Sequence, residues 1–61
     1  MEVRIQDIED DLKCYYDGTL HPSLIQVGVK LKIGMYSVQV KEISADVYDD
    51  SSPVVLLVEE I

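Results

Sequence analysis

The chain has 61 residues, a formal net charge of −7 and 48% hydrophobic residues. This length limits it to one domain with a small core, and the composition is too apolar for an intrinsically disordered protein. A single cysteine excludes an internal disulfide, and one histidine with one cysteine cannot supply the four ligands of a structural zinc site. We therefore expect one domain over residues 1–61, stabilised by its own packing or by association with another chain.

The charge balance and the hydropathy pattern bear on partners and location. Twelve acidic residues against five basic ones argue against direct binding to nucleic-acid phosphates, which requires a basic patch. The longest apolar run, Val54–Val58, is far shorter than the roughly 20 residues of a transmembrane helix. The N-terminus lacks the pattern of a secretory signal. We expect a soluble cytoplasmic protein that binds neither nucleic acid nor a membrane.

Residues 5–16 predict an amphipathic helix. At the helical period its apolar residues lie on one arc of about 100°: Ile5, Ile8, Leu12, Tyr15 and Tyr16. The acidic residues of the first turns complement the helix dipole, and Gly18 is placed to end the helix. A competing interpretation makes Asp17-Gly18 a type I′ hairpin turn. We favour the helix, because it separates polar from apolar residues and the hairpin mixes them.

Residues 27–42 predict a β-hairpin with one apolar face. With Gly34-Met35 as a type II′ turn, three apolar pairs face each other: Ile33 with Tyr36, Leu31 with Val38, and Val29 with Val40. The apolar positions change parity after Val40, which predicts a β-bulge near Lys41-Glu42.

Val54–Val58 predicts a third antiparallel strand after a loop at 49–53. The expected pairs are Val47 with Val54, Ala45 with Leu56, and Ile43 with Val58. This strand is apolar on both faces, so its second face needs cover from the helix, from curling of the sheet, or from a second copy. The predicted architecture is α+β: the N-terminal helix packed on a three-stranded antiparallel meander, which can curl into a small SH3-like barrel. The alternative is an all-β small barrel.

The residues suited to catalysis or metal binding stand apart in the sequence. His21 precedes Pro22 in a predicted linker, and Cys14 lacks a neighbour that would stabilise its thiolate. The acidic residues of the last loop do not match the spacing of an EF-hand, and the three glycines are too far apart for a phosphate-binding loop. We expect no enzymatic activity, no cofactor and no metal.

The candidate binding residues are acidic and form two clusters, near the predicted helix and in the last loop: Asp7, Glu9, Asp10, Asp11, Asp46, Asp49 and Asp50. If the clusters converge in space, they present a negative face to a basic partner. The candidate interface residues are two tyrosines and the second face of the last strand: Tyr16, Tyr48, Val55 and Leu57.

These features favour a non-enzymatic acidic interaction module, a homo-oligomer that binds and inhibits a larger protein with a basic surface. In one version the negative face imitates nucleic acid, by analogy with the compact acidic proteins that phages make against host systems. One alternative is a protein that sequesters an anionic small molecule or nucleotide in an inter-subunit pocket lined by tyrosine with Arg4, Lys30 and Lys32. The other alternative is a structural subunit of a larger assembly.

Overall fold

The computed structural model describes residues 1–49 and 51–61, which form one five-stranded β-sheet. The strands are β1 (Glu2–Asp7), β2 (Cys14–Thr19), β3 (Lys30–Ile33), β4 (Tyr36–Ser44) and β5 (Val54–Glu60), and a 3-10 turn lies at Pro22–Leu24. The spatial order is β2-β1-β5-β4-β3, and the sheet curls into a half-barrel whose two edges are β2 and β3.

The predicted N-terminal helix is wrong: residues 5–16 contain the end of β1, a turn and the start of β2. Burial alternates along β1, where Val3 and Ile5 are buried, whereas Leu12 in the turn is 91% exposed. The apolar residues have a helical spacing by coincidence. Some of them face the core from the end of β1 and the start of β2, and the others lie in the turn between these strands. Pairing with β5, which is distant in sequence, decides the local structure.

The alternative turn at Asp17-Gly18 is wrong as well, because both residues lie inside β2 and pair with Arg4 and Val3 of β1. Gly18 leaves room there for the side chain of Tyr16. A Cβ atom at this position would lie 3.0 Å from the hydroxyl oxygen of Tyr16. The Tyr16 ring therefore lies over Gly18 on the edge strand.

The central strand is β5, which pairs with β1 in parallel and with β4 antiparallel. A central position explains why this strand is apolar on both faces. The predicted register against β4 is wrong by two residues, since Ile43 pairs with Leu56 and not with Val58. Strand β4 ends at Ser44, and Val47, predicted to face Val54, lies in a turn and is 81% exposed.

The predicted hairpin is confirmed for β3 and β4, where Ile33 pairs with Tyr36 and Leu31 with Val38. Gly34 has a φ of +59° while Met35 does not have a positive φ, as a type II′ turn requires. The predicted bulge is also confirmed, because the β4–β5 register shifts between Val40 and Glu42.

The buried core lies on the concave face and consists of six aliphatic side chains from the three inner strands: Val3, Ile5, Val38, Val40, Leu56 and Val58. Strand content is 53%, and no helix of seven or more residues occurs in the described part of the chain, so the fold is nearly all β. It shares this strand content with the all-β alternative, but the barrel is half open. Within residues 1–49 and 51–61 there is no helix of the length and hydropathy needed to cross a lipid bilayer.

Candidate functional site

The acidic residues at positions 7–11 organise the turn between β1 and β2. Asp7 Oδ1 accepts the backbone N–H groups of Glu9 at 2.8 Å and Asp10 at 3.2 Å. Asp10 Oδ1 in turn accepts the N–H of Leu12 at 3.0 Å. Two of the predicted binding carboxylates thus stabilise a turn in place of a helix N-terminus, while Glu9 and Asp11 are exposed.

The second acidic cluster lies in the loop between β4 and β5. Asp46 Oδ1 accepts the N–H of Tyr48 at 2.9 Å. Asp49 accepts the hydroxyls of Ser51 at 2.6 Å and Ser52 at 2.8 Å, together with the N–H of Ser51. Asp50, also predicted as a binding residue, lies outside the described residues.

The two clusters lie at opposite ends of the sheet. Because β1 and β5 are parallel, Val3 lies beside Val54 and Asp7 beside Val58. The turn after β1 is therefore at the end where β5 finishes with Glu59 and Glu60, while the loop carrying Asp46 and Asp49 enters β5 at the other end. The structure brings residues 7–11 close to the C-terminal glutamates but does not join them to the second cluster.

The four predicted interface residues occupy three different surfaces. Tyr16 lines a groove on the concave side, and Tyr48 is 96% exposed in the β4–β5 loop. Val55 and Leu57 are half-buried on the convex side, where Val55 lies beside Arg4 and Leu57 beside Gln6 of β1. The helix expected to cover this face is not present, because residues 5–16 form strand and turn.

An apolar groove of about 360 Å³ lies across the open side of the half-barrel. It is lined by residues from both edge strands, from the β2–β3 connection and from β1: Ile5, Tyr16, Leu20, Leu24, Leu31, Lys32, Ile33 and Gly34. The groove exists because the curled sheet brings β2 and β3 toward each other without making them neighbours in the hydrogen-bonded order.

Both walls of this groove are edge strands, which is the property that makes it a candidate binding site. An edge strand presents N–H and C=O groups on the side away from its neighbour, and these groups can pair with another extended segment. Leu31 and Ile33 on one wall and Tyr16 on the other are half-buried, so they offer apolar surface beside those backbone groups. Lys32 is the charged residue of the lining.

A second candidate site lies where β1 and β5 end and β2 and β4 begin. The rings of Tyr15 and Tyr36 are 5.3 Å apart between centroids, with an interplanar angle of 69°. The ammonium of Lys13 lies 5.1 Å from the Tyr15 centroid and 5.4 Å from the Tyr36 centroid. The same ammonium lies 3.4 Å from Glu60 Oε2, and the Tyr15 hydroxyl donates to Asp7 Oδ2 at 3.1 Å.

Contacts within this cluster shift the pKa values of Asp7, Lys13 and Tyr15. The N–H of Glu9 is the largest cause that lowers the pKa of Asp7, and the Tyr15 hydroxyl lowers it further. The Tyr15 hydroxyl is also the largest cause that raises the pKa of Lys13, with Glu60 adding to it. Desolvation raises the pKa of Tyr15 itself, so its phenol stays neutral. The cluster therefore contains the Lys13 cation, the Asp7 carboxylate and the neutral Tyr15 phenol.

The two other reactive side chains, His21 and Cys14, make hydrogen bonds to residues two positions further along the chain. His21 Nδ1 accepts the N–H of Ser23 at 3.2 Å, which starts the 3-10 turn. Cys14 is exposed at the start of β2, and its Sγ donates to the Tyr16 carbonyl at 3.4 Å. His21 Nδ1 also lies 2.8 Å from the Ser23 hydroxyl oxygen, so the contacts of His21 join the first residues of the 3-10 turn to one another.

Comparisons of the chain with protein-family models, with curated proteins and with solved structures find no match.

Sequence reasoning missed Lys13, Tyr15, Tyr36 and Glu60 as members of one site. The sequence pattern assigns Tyr36 to the apolar face of the hairpin and Tyr15 to the predicted helix. Their proximity depends on the parallel β1–β5 pair, which a local pattern does not reveal. One sequence feature does indicate this site: Lys13 is a single basic residue between the acidic segment 7–11 and the pair Tyr15-Tyr16.

Proposed function

We propose that the chain is a non-enzymatic interaction module that binds, and thereby inhibits, a larger cytoplasmic protein. The observation that carries the proposal is the apolar groove between the two edge strands, with Tyr16 on one wall and Leu31 and Ile33 on the other. Such a groove suits an extended segment, which gains affinity from main-chain hydrogen bonds and specificity from alternate side chains.

The chemistry of the groove indicates the kind of segment it accepts. Alternate apolar side chains would enter the groove, because they remove Leu31 and Ile33 from water. Basic residues flanking the segment are favoured, because the chain carries a net charge of −7 and the turn at 7–11 with Glu59 and Glu60 forms one acidic end. The partner is therefore a protein with a basic surface around an extended apolar segment.

Affinity capture from the native host with the intact chain, followed by titration of the purified partner, tests this proposal. The groove variant is Leu31→Asp, and the control is Val47→Asp, an apolar residue that is 81% exposed in the β4–β5 loop and does not line the groove. We expect Leu31→Asp to weaken binding at least about tenfold and Val47→Asp to leave it nearly unchanged. Equal effects of the two variants would contradict binding in the groove.

Inhibition by imitation of nucleic acid is a narrower version of this function. The predicted acidic residues are divided between the two ends of the sheet, so a basic partner would have to contact both ends to use all of them. Charge-driven binding weakens as salt screens it. An affinity that is unchanged between low and high salt would exclude this version and leave binding in the groove intact.

Self-association is the second part of the proposal, and the half-buried strip of Val55 and Leu57 supports it. A 61-residue domain has a small core, so covering this strip adds stability. Sedimentation over a range of concentrations tests it: a closed homo-oligomer reaches a limiting mass that Val55→Asp with Leu57→Asp lowers. Open growth would instead support the role of a structural subunit.

Binding of an anionic small molecule is a second candidate function, favoured by the presence of Tyr16 and Lys32 in one groove. Apolar walls with one cation suit a molecule that has an aromatic body and a negative group. A thermal-shift screen with nucleotides and other anions tests this function. Only this candidate predicts stabilisation by a free anion, together with loss of that stabilisation in Lys32→Gln.

A further inference from the structure

We propose that Tyr15, Tyr36, Asp7 and Glu60 form a binding site for an alkylammonium group, which Lys13 occupies in the free chain and a lysine side chain of the partner occupies in the complex. This inference rests on the proposed function only in assigning the incoming lysine to a protein partner. The site itself follows from the geometry of the five side chains.

The two tyrosine rings form a corner that fits a cation. Their planes meet at 69°, and the Lys13 ammonium lies over both rings. The Lys13 ammonium is within 5.4 Å of both centroids, inside the roughly 6 Å over which a ring attracts a cation. Glu60 at 3.4 Å supplies the opposite charge on the third side.

Backbone pairing anchors both tyrosines of this site, whereas Lys13 lies outside the strands. Tyr15 lies in strand β2 and donates a hydrogen bond to Asp7, and the backbone of Tyr36 pairs with Ile33. Lys13 extends from the turn, and its side chain is 41% exposed. An exposed lysine side chain gains rotamer freedom on release, and a half-exposed ion pair holds it weakly.

The surroundings also favour the entry of a cation. Glu60 is 48% exposed, and the neighbouring turn carries Glu9, Asp10 and Asp11, so the potential near the site is negative. A lysine from a partner makes the same contacts as Lys13. Lys13 then acts as a tethered competitor that is displaced when the remaining contacts of the partner add to the affinity.

The experiment is an NMR titration of the intact chain with N-acetyl-lysine N-methylamide, observing the ring resonances of Tyr15 and Tyr36. The natural chain is compared with Lys13→Ala alone and with Lys13→Ala combined with Tyr36→Leu or with Glu60→Gln. Acetyl-alanine N-methylamide, which lacks the ammonium, is the control probe. Lys13→Gln serves as a second way to empty the site while keeping most of the aliphatic stem.

We expect Lys13→Ala and Lys13→Gln to bind the lysine probe at least about tenfold more tightly than the natural chain, because the tethered competitor is gone. Addition of Tyr36→Leu or Glu60→Gln should reverse most of that gain, and the alanine probe should not bind. Equal affinity of the natural chain and both Lys13 variants would overturn the proposal. Binding that survives both Tyr36→Leu and Glu60→Gln would overturn it as well.

These results are separable from the test of the groove. Leu31→Asp changes the groove, and its cross-strand partner is Val38, which does not belong to the ammonium site. If lysine binding is lost while Leu31→Asp has its expected effect, only the ammonium site is refuted. The reverse result refutes only the groove.

Discussion

The hydroxyl of Tyr15 donates a hydrogen bond of 3.1 Å to Asp7 Oδ2, while Oδ1 of the same carboxylate accepts the N–H of Glu9 at 2.8 Å. One carboxylate thereby joins the β1–β2 turn to the edge strand that forms a wall of the groove. The two candidate sites share this support, since Tyr15 contacts the ammonium cluster and Tyr16 lines the groove.

The first prediction concerns Asp7→Ala. This change removes the acceptor of two turn amides and of the Tyr15 hydroxyl, so it should lower the midpoint of urea denaturation. The matched control is Asp11→Ala, which removes an exposed carboxylate from the same turn. The two midpoints should differ clearly. Equal midpoints would mean that the hydrogen bonds of Asp7 contribute nothing to folding.

The second prediction is the pH dependence of stability. The pKa values of Asp7 and Asp49 are lowered from the usual 3.8, chiefly by the N–H of Glu9 and by the hydroxyl of Ser51. At acid pH these two carboxylates therefore bind more protons in the unfolded chain than in the folded chain. Their contribution to stability is complete above the unfolded-state pKa and is lost as pH falls through the folded-state pKa.

Denaturation midpoints measured between pH about 6 and pH about 2.5 check this sign. We expect stability to decrease toward acid, with a smaller decrease in Asp7→Asn and in Asp49→Asn. A variant with the same acid slope as the natural chain would show that its carboxylate is not linked to folding.

The third prediction contrasts the two faces of β5. Leu56 is fully buried in the concave core, whereas Leu57 is half-buried on the convex face. Leu56→Ala should cost about 2–5 kcal/mol of unfolding free energy. Leu57→Ala should cost about half of that or less. Urea denaturation distinguishes them, and a larger cost at Leu57 would reverse the assignment of the faces.

The fourth prediction concerns Gly18→Ala. The added methyl group would lie 3.0 Å from the Tyr16 hydroxyl oxygen, so the ring must shift and weaken its hydrogen bond to the Thr19 carbonyl. We expect a loss of about 1 kcal/mol. In a Tyr16→Leu background the same change should cost much less. An equal cost in both backgrounds would indicate a backbone effect.

The sequence predicted the β3–β4 hairpin correctly because that hairpin is local. Gly34 permits the positive φ of the turn, and the alternation of Leu31 and Ile33 with lysines fixes the register. The bulge after Val40 was predictable for the same reason, since a change of parity along one strand is visible in the sequence.

The rest of the fold depends on contacts between distant residues. Val3 and Ile5 form a strand because they pair with Val54 and Leu56, and nothing near them in the sequence encodes this parallel pair. The bulge opposite Ile5 and Gln6 allows Tyr15 and Tyr16 both to pack against the core. Two neighbouring apolar residues that face the same way are typical of one face of a helix, so the pattern predicted a helix. The acidic residues matched a helix start but stabilise a turn, because both structures use carboxylates to accept backbone N–H groups.

The central claim is that a parallel β1–β5 pair forms the middle of an open sheet whose edges, β2 and β3, leave an apolar groove between them. The most direct measurement is a set of nuclear Overhauser contacts between backbone protons of the intact chain. We predict contacts between Arg4 and Val55 and between Gln39 and Glu59, without backbone contacts between β2 and β3. Helical contacts over residues 5–16, or backbone contacts that join β2 to β3, would contradict the claim.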